Sequence, residues 1–139
     1  MGKSNVIVVD GANIAYIEPS KKGDPKVSNI TSVVSLLKEK GYQPIVIIDA
    51  SLHHKVDDPE QLDALINERV IRQAPAGTDA DYFVLEVADE NNANVVSNDR
   101  FEPYQKDFPW IKERRIPLMI VNGEVELYDP KLKGKQQSK

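Results

Sequence analysis

The residues best placed for chemistry are aspartates that follow short apolar runs. Asp10 comes directly after Val6–Val9, Asp49 closes Ile45–Ile48, and Asp99 lies two residues beyond Asn94–Ser97. Asp79 and Asp81 fall in the first turn of a helix expected to open at Thr78. If the first strand and the Asn94–Ser97 strand are neighbours, Asp10 and Asp99 approach across about one strand spacing, roughly 5 Å. Carboxylates that close repel, and one holds a proton unless a cation lies between them. Oxygen ligands without His or Cys suit Mg²⁺ or Mn²⁺, hard ions that keep several waters. A site of that kind binds phosphate oxygens and prepares a water for in-line attack.

Each aspartate also has a plainer reading. Asp10 can cap the turn before Asn13, and Asp99 can satisfy its own backbone in the Ser97-Asn98-Asp99-Arg100 turn. Thr78 and Asp81 are spaced as a capping box, which is compatible with metal binding by Asp81. Asp79 suits the helix dipole and reads as structural, and Asp49 can cap the loop Ala50–His54. Their joint position at successive strand ends is what points to a site.

The elements that position them follow from periodicity. Asn5–Val9 is a continuous apolar run of strand length, the mark of a strand buried on both faces, and Pro44–Ile48 is a second. From Ser28 to Lys40, Ile30, Val33, Val34 and Leu37 recur at helical spacing, and Gly41 stops the helix. Asp58-Pro59 starts a helix over Glu60–Glu68, and Arg69–Gln73 either extends it or forms a short strand. The helix from Thr78 carries Phe83, Val84, Val87 and Ala88 inward and leads to the strand Asn94–Ser97. After a turn-rich Arg100–Glu113 come Pro117–Val121 and Glu124–Tyr128, joined by the hairpin signal Asn122-Gly123. Alternation of this kind means an α/β fold, helices on both faces of a mainly parallel sheet, with the final hairpin adding an antiparallel strand at an edge. Ligands of such sheets sit beyond the carboxyl ends of the strands, where the aspartates lie.

Composition narrows the function classes. A chain of 139 residues is one domain in length, expected over 1–130, with 131–139 a basic disordered tail. The absence of cysteine excludes a zinc finger, an iron–sulfur cluster and a thiol nucleophile. The apolar runs are too short to span a bilayer, and Met1–Asn5 lacks a signal peptide's apolar stretch, so a cytoplasmic location without membrane contact is expected. The net charge is −4, but the tail holds four lysines and no acid; the body has 14 basic and 22 acidic side chains, a net of −8. Generic duplex binding by counterion release is therefore not suggested, whereas an acidic body can act on nucleic acid through a metal.

Val8-Val9-Asp10-Gly11-Ala12-Asn13, then Asp81-Tyr82-Phe83-Val84-Leu85-Glu86-Val87-Ala88, then Val95-Val96-Ser97-Asn98-Asp99-Arg100-Phe101 resemble, in order, the NYN branch of the PIN-like nucleases. The likeness is greatest to the ribonuclease domain beside a CCCH zinc finger in Regnase-type proteins, and it runs over residues 5–122. It implies a PIN-like three-layer sandwich with sheet order 3-2-1-4-5 and Mg²⁺- or Mn²⁺-dependent cleavage of single-stranded RNA. By position it makes Asp10, Asp81 and Asp99 the catalytic metal-site residues and Asn13 a polar positioning residue. The chain departs from the family in having Ala80 where Regnase-type domains carry a second aspartate, and no zinc finger follows.

Around the strand ends, Ser97, Asn98, Arg100 and Lys55 are the expected substrate contacts, Arg100 as a phosphate ligand. Tyr16 and Phe101 suit either base stacking or packing, His53 and His54 a solvated loop, and Lys112, Arg114 and Arg115 a solvated face. The leading expectation is an endoribonuclease whose partner is single-stranded RNA, with a homodimer left open. The alternative, favoured by Ala80, is an inactive RNA-binding or protein-interaction module. A haloacid-dehalogenase arrangement ranks low because Ala12 stands where its second aspartate would be, and no Gly-rich phosphate loop follows the first strand.

Overall fold

A computed structural model describes residues 5–129. The expected basic tail, 131–139, lies outside the described residues. The central strand β1 (Val6–Asp10) is flanked by β2 (Gln43–Ile48) and β4 (Asn94–Val96), with β3 (Ile71–Gln73) and β5 (Arg115–Ile116) at the edges. The order is β3-β2-β1-β4-β5, and every pairing is parallel.

Side chains of β1 alternate between two apolar layers. Ile7 and Val9 join a cluster built with α1 (Gly11–Ala15), α2 (Val27–Glu39) and α3 (Pro59–Asn67). Val8 faces the other cluster, beneath α4 (Ala80–Asn91) and α5 (Ile111–Arg114). Helices on both faces explain why β1 is apolar without interruption. The predicted helix stripe is realised: Ile30, Val33, Val34 and Leu37 of α2 are buried. At its end Gly41 takes φ +91°, a left-handed turn that suits glycine. Asp58 caps α3 through the Gln61 N–H at 3.1 Å, with Pro59 in the first turn.

Two expectations are corrected. Thr78 does not open α4; Asp79 is its N-cap, accepting the Asp81 N–H at 3.0 Å, so the Thr78–Asp81 capping box does not form. Nor does the Asn122-Gly123 hairpin join the main sheet. Its strands, β6 (Leu118–Val121) and β7 (Glu124–Leu127), form a separate two-stranded antiparallel sheet, and the fifth strand is Arg115–Ile116, which falls between the stretch read as turn-rich and the expected strand Pro117–Val121. The hairpin lies over the first cluster, with Leu118 and Ile120 buried and Met119 and Val121 outward. Glu18 holds its turn by accepting the backbone N–H groups of Asn122 and Gly123.

Gly11 answers to space. A Cβ there would lie 2.6 Å from Ile48 Cγ2 and 3.0 Å from both the Ile47 carbonyl oxygen and Val46 Cγ1. The first turn of α1 therefore packs directly on β2, fixing how the chain leaves Asp10. Gly11→Ala is expected to lower stability by about 1–3 kcal/mol, as overpacking a close-packed interior does. Urea unfolding checks this; a midpoint equal to the parent's would show that the surrounding side chains yield freely.

Candidate metal centre

The parallel register brings the site together. Val9 pairs with Val96, so Asp10 and Ser97 leave their strands side by side at the same rim. Ser97 is completely buried, and its hydroxyl donates to Asp10 Oδ2 at 2.8 Å while accepting the Asp99 N–H at 3.0 Å. Asp99 Oδ1 accepts the Phe101 N–H at 2.8 Å, closing a tight Asx turn. Phe101 is held in the left-handed region at φ +52°, and its buried ring anchors that turn in the second apolar cluster. Asn13 Oδ1 accepts the Asn98 N–H at 3.0 Å, and the Asn98 amide brackets Leu118, donating to its carbonyl and accepting its N–H. Each residue from Ser97 to Asp99 is thus tied in place by its own hydrogen bonds.

Asp81 arrives from the opposite layer, in the first turn of α4. Its N–H is held by Asp79, whose other oxygen accepts the hydroxyl of Tyr104. One carboxylate oxygen from each of Asp10, Asp81 and Asp99 lies within 4.8 Å of the others. Among the described residues no lysine or arginine forms an ion pair with the three.

This geometry strains the charges. Burial pushes the Asp10 carboxyl up to about 7, with the charges of Asp81 and Asp99 adding to the rise; the Ser97 hydroxyl and the Asn13 backbone N–H oppose it. Asp81 is raised in the same direction, by burial first and then by Asp99, Asp79 and Asp49. Three oxygen donors at these separations, with uncompensated charge, fit a hard divalent cation.

The other candidates divide. Ser97 supports the cluster from within the core and has no surface to offer a substrate, a correction to its expected role. Asn98 is exposed, and its side-chain amide is engaged by the backbone of Leu118. Arg100 and Lys55 are exposed, Lys55 at the end of the 3-10 turn Ala50–His54. His53 pairs with Asp63 at 2.9 Å, Phe101 belongs to the core, and Tyr16 stays 46% exposed. Asp79 is not among the acids whose oxygens converge, and its two oxygens accept the Asp81 N–H and the Tyr104 hydroxyl. Sequence reading missed the Tyr104–Asp79 bond, which spans 25 residues without a local signal. It also missed the role of Arg115, half-buried in a two-residue strand, whose Nη1 donates to the Ser97 carbonyl at 3.1 Å.

Comparisons with known proteins agree with this architecture. The family model described as the Zc3h12a-like ribonuclease NYN domain matches residues 3–139. An uncharacterized protein of Methanocaldococcus jannaschii is 27% identical over 106 residues, covering 72% of this chain and 21% of that protein. The crystal structure of nuclear proteinaceous RNase P 2 from Arabidopsis thaliana superposes over 94% of this chain and 30% of that one, with TM-score 0.73 and 22% identity. A second structure of the same plant protein gives TM-score 0.72 over 93% of this chain and 30% of its own, again at 22% identity. At that identity the likeness is one of fold. The chain spans only about a fifth to a third of the length of these relatives.

The raised Asp10 has a consequence for stability. Between 3.8, its ordinary value, and about 7, the folded state holds a proton that the unfolded state has lost, so unfolding free energy falls as pH rises through that window. In EDTA, the parent is expected to lose about 3 kcal/mol relative to Asp10→Asn between pH 5 and pH 8. Denaturant titrations of both proteins measure this; a difference that stays constant or reverses sign would contradict the burial of a charge-bearing Asp10.

Proposed function

This chain belongs to the Zc3h12a-like ribonuclease NYN domain family, and from that premise we propose that it is a divalent-metal-dependent endoribonuclease acting on single-stranded RNA. The observation that carries the reading is the meeting of Asp10, Asp81 and Asp99 oxygens within 4.8 Å at the carboxyl ends of β1 and β4 and the start of α4. Asp10, Asp81 and Asp99 would hold Mg²⁺ or Mn²⁺. When bound, such an ion neutralises charge on a phosphodiester and lowers the pKa of a water for in-line attack.

The chain's own residues supply geometry. Ser97 fixes the orientation of Asp10 and, through the Asp99 N–H, the spacing of the two acids. Asn13 keeps the loop after β4 in place through the Asn98 N–H. Tyr104 and Asp79 hold the N-terminal turn of α4 and with it Asp81. Preorganisation of this kind removes the reorganisation that flexible carboxylates would undergo as charge develops. Arg100, exposed beside Asp99, is assigned to a substrate phosphate, and Lys55 to the approaching strand. Tyr16 offers an exposed ring on which a base can stack. Among the described residues no helix is long and apolar enough to cross a membrane, and a cytoplasmic site of action belongs to the same proposal.

Ala80 favours a second reading: with three acids instead of four, and Asp79 engaged elsewhere, the domain would bind RNA without cutting it. Labelled single-stranded RNA incubated with Mg²⁺, Mn²⁺ or EDTA separates the two. The nuclease reading expects cleavage that EDTA abolishes and that Asp99→Asn lowers by about 100-fold or more, the scale on which removing one preorganised electrostatic group acts. Equal cleavage by parent and Asp99→Asn would overturn it, and retention of RNA with no metal-dependent turnover would establish the second reading.

A further inference from the structure

Directly behind Asp99 the surface changes sign. A groove of about 370 Å³ is lined by Arg100, Lys112 and Arg115, with Glu102 as its one acid and Gln105 and Ile111 completing the wall. In a body with a net charge of −8, this is a local excess of two positive charges. Arg115 is fixed in place: it starts β5, and its Nη1 donates to the carbonyl of Ser97, the same residue whose hydroxyl orients Asp10. Burial first, then the charge of Arg100, hold its guanidinium below the usual range, with the charge of Asp99 opposing them, so the two arginines repel each other. Among the described residues none of the three cations has an ion-pair partner.

Two guanidiniums and an ammonium that outnumber the single carboxylate of one groove, one guanidinium held by a hydrogen bond to the core, favour an anion with several oxygens, since each fork can take two at once. The groove begins at the residue following Asp99. We propose that Arg100, Lys112 and Arg115 form a phosphate subsite that holds a phosphodiester of the RNA strand adjacent to the one at the acidic cluster. This rests on the proposed action on RNA, and it assigns the direction in which the strand leaves the centre. The subsite also explains how an acidic body holds a polyanion: attraction is concentrated beside the site instead of being spread over the surface.

The experiment measures binding of a fluorescein-labelled single-stranded oligoribonucleotide by anisotropy in EDTA, where no cleavage occurs, at a series of salt concentrations. The double variant Arg100→Gln/Lys112→Gln, both exposed positions, is expected to bind about tenfold or more weakly. Its plot of log affinity against log salt should be shallower by about 0.7, because the subsite holds one phosphate and each phosphate neutralised on a single strand contributes about 0.7 to the slope. Arg115→Lys, which keeps the charge without the fork, is expected to weaken binding by a smaller factor, and thermal unfolding of each variant checks folding. Unchanged affinity and slope in the folded double variant would overturn the subsite, as would failure of the parent to bind RNA. Titration with inorganic phosphate separates the sources: displacement of RNA no stronger than by equal ionic strength supports a diester subsite, whereas tight phosphate binding without RNA binding contradicts it. Cleavage in Mg²⁺ is scored separately, so a protein that binds through these residues yet does not cut retains the subsite and loses the nuclease reading.

Discussion

Mutual repulsion among Asp10, Asp81 and Asp99 is the constraint around which the molecule is organised. Asp10 is only 5% exposed and is answered inside the protein by one hydroxyl and one backbone N–H, and among the described residues no basic side chain pairs with it. Burying a carboxylate in that state is unfavourable, and the acid responds by holding its proton towards neutral pH. A fold selected for stability alone would place a lysine there or an apolar residue. A divalent ion resolves the same conflict by supplying the missing charge, which ties stability to the chemistry that the site would perform.

Keeping three repelling groups together requires rigid supports, and they come from both layers. β1 is clamped between β2 and β4, and α1 follows so closely that Gly11 touches the side chains of β2. The loop after β4 is fixed at Ser97, Asn98 and Asp99 by bonds to Asp10, Asn13, Leu118 and Phe101. α4 meets them from the other face with its first turn pinned by Asp79 and Tyr104. Because the supports belong to different elements, the cluster is a product of the tertiary fold and not of any one segment. The hairpin β6–β7 takes part indirectly, through the Asn98 amide on Leu118 and the Glu18 clamp on its turn.

How far this was legible in the sequence depends on the range of the interaction that decides each feature. The run Ile7–Val9 and the stripe Ile30, Val33, Val34, Leu37 announce their burial through local spacing, and both were readable. Strand ends followed by Asp10 and Asp99 were readable too, because parallel α/β sheets place ligands there. The start of α4 was not: Thr78 and Asp79 are both competent caps, and the choice is bound up with Tyr104, 25 residues away. Arg115–Ile116 is too short to show a period, and Asn122-Gly123 specifies a turn without saying which sheet its strands join. The roles of Ser97 and Asn98 depend on the directions of their side chains, which the residue types leave open.

The most direct measurement of the central claim is anomalous diffraction from crystals of the parent protein soaked in Mn²⁺. A manganese peak about 2 Å from oxygens of Asp10, Asp81 and Asp99, absent in Asp99→Asn, is the result this account predicts. A saturated soak that leaves the three carboxylates without a peak would contradict it.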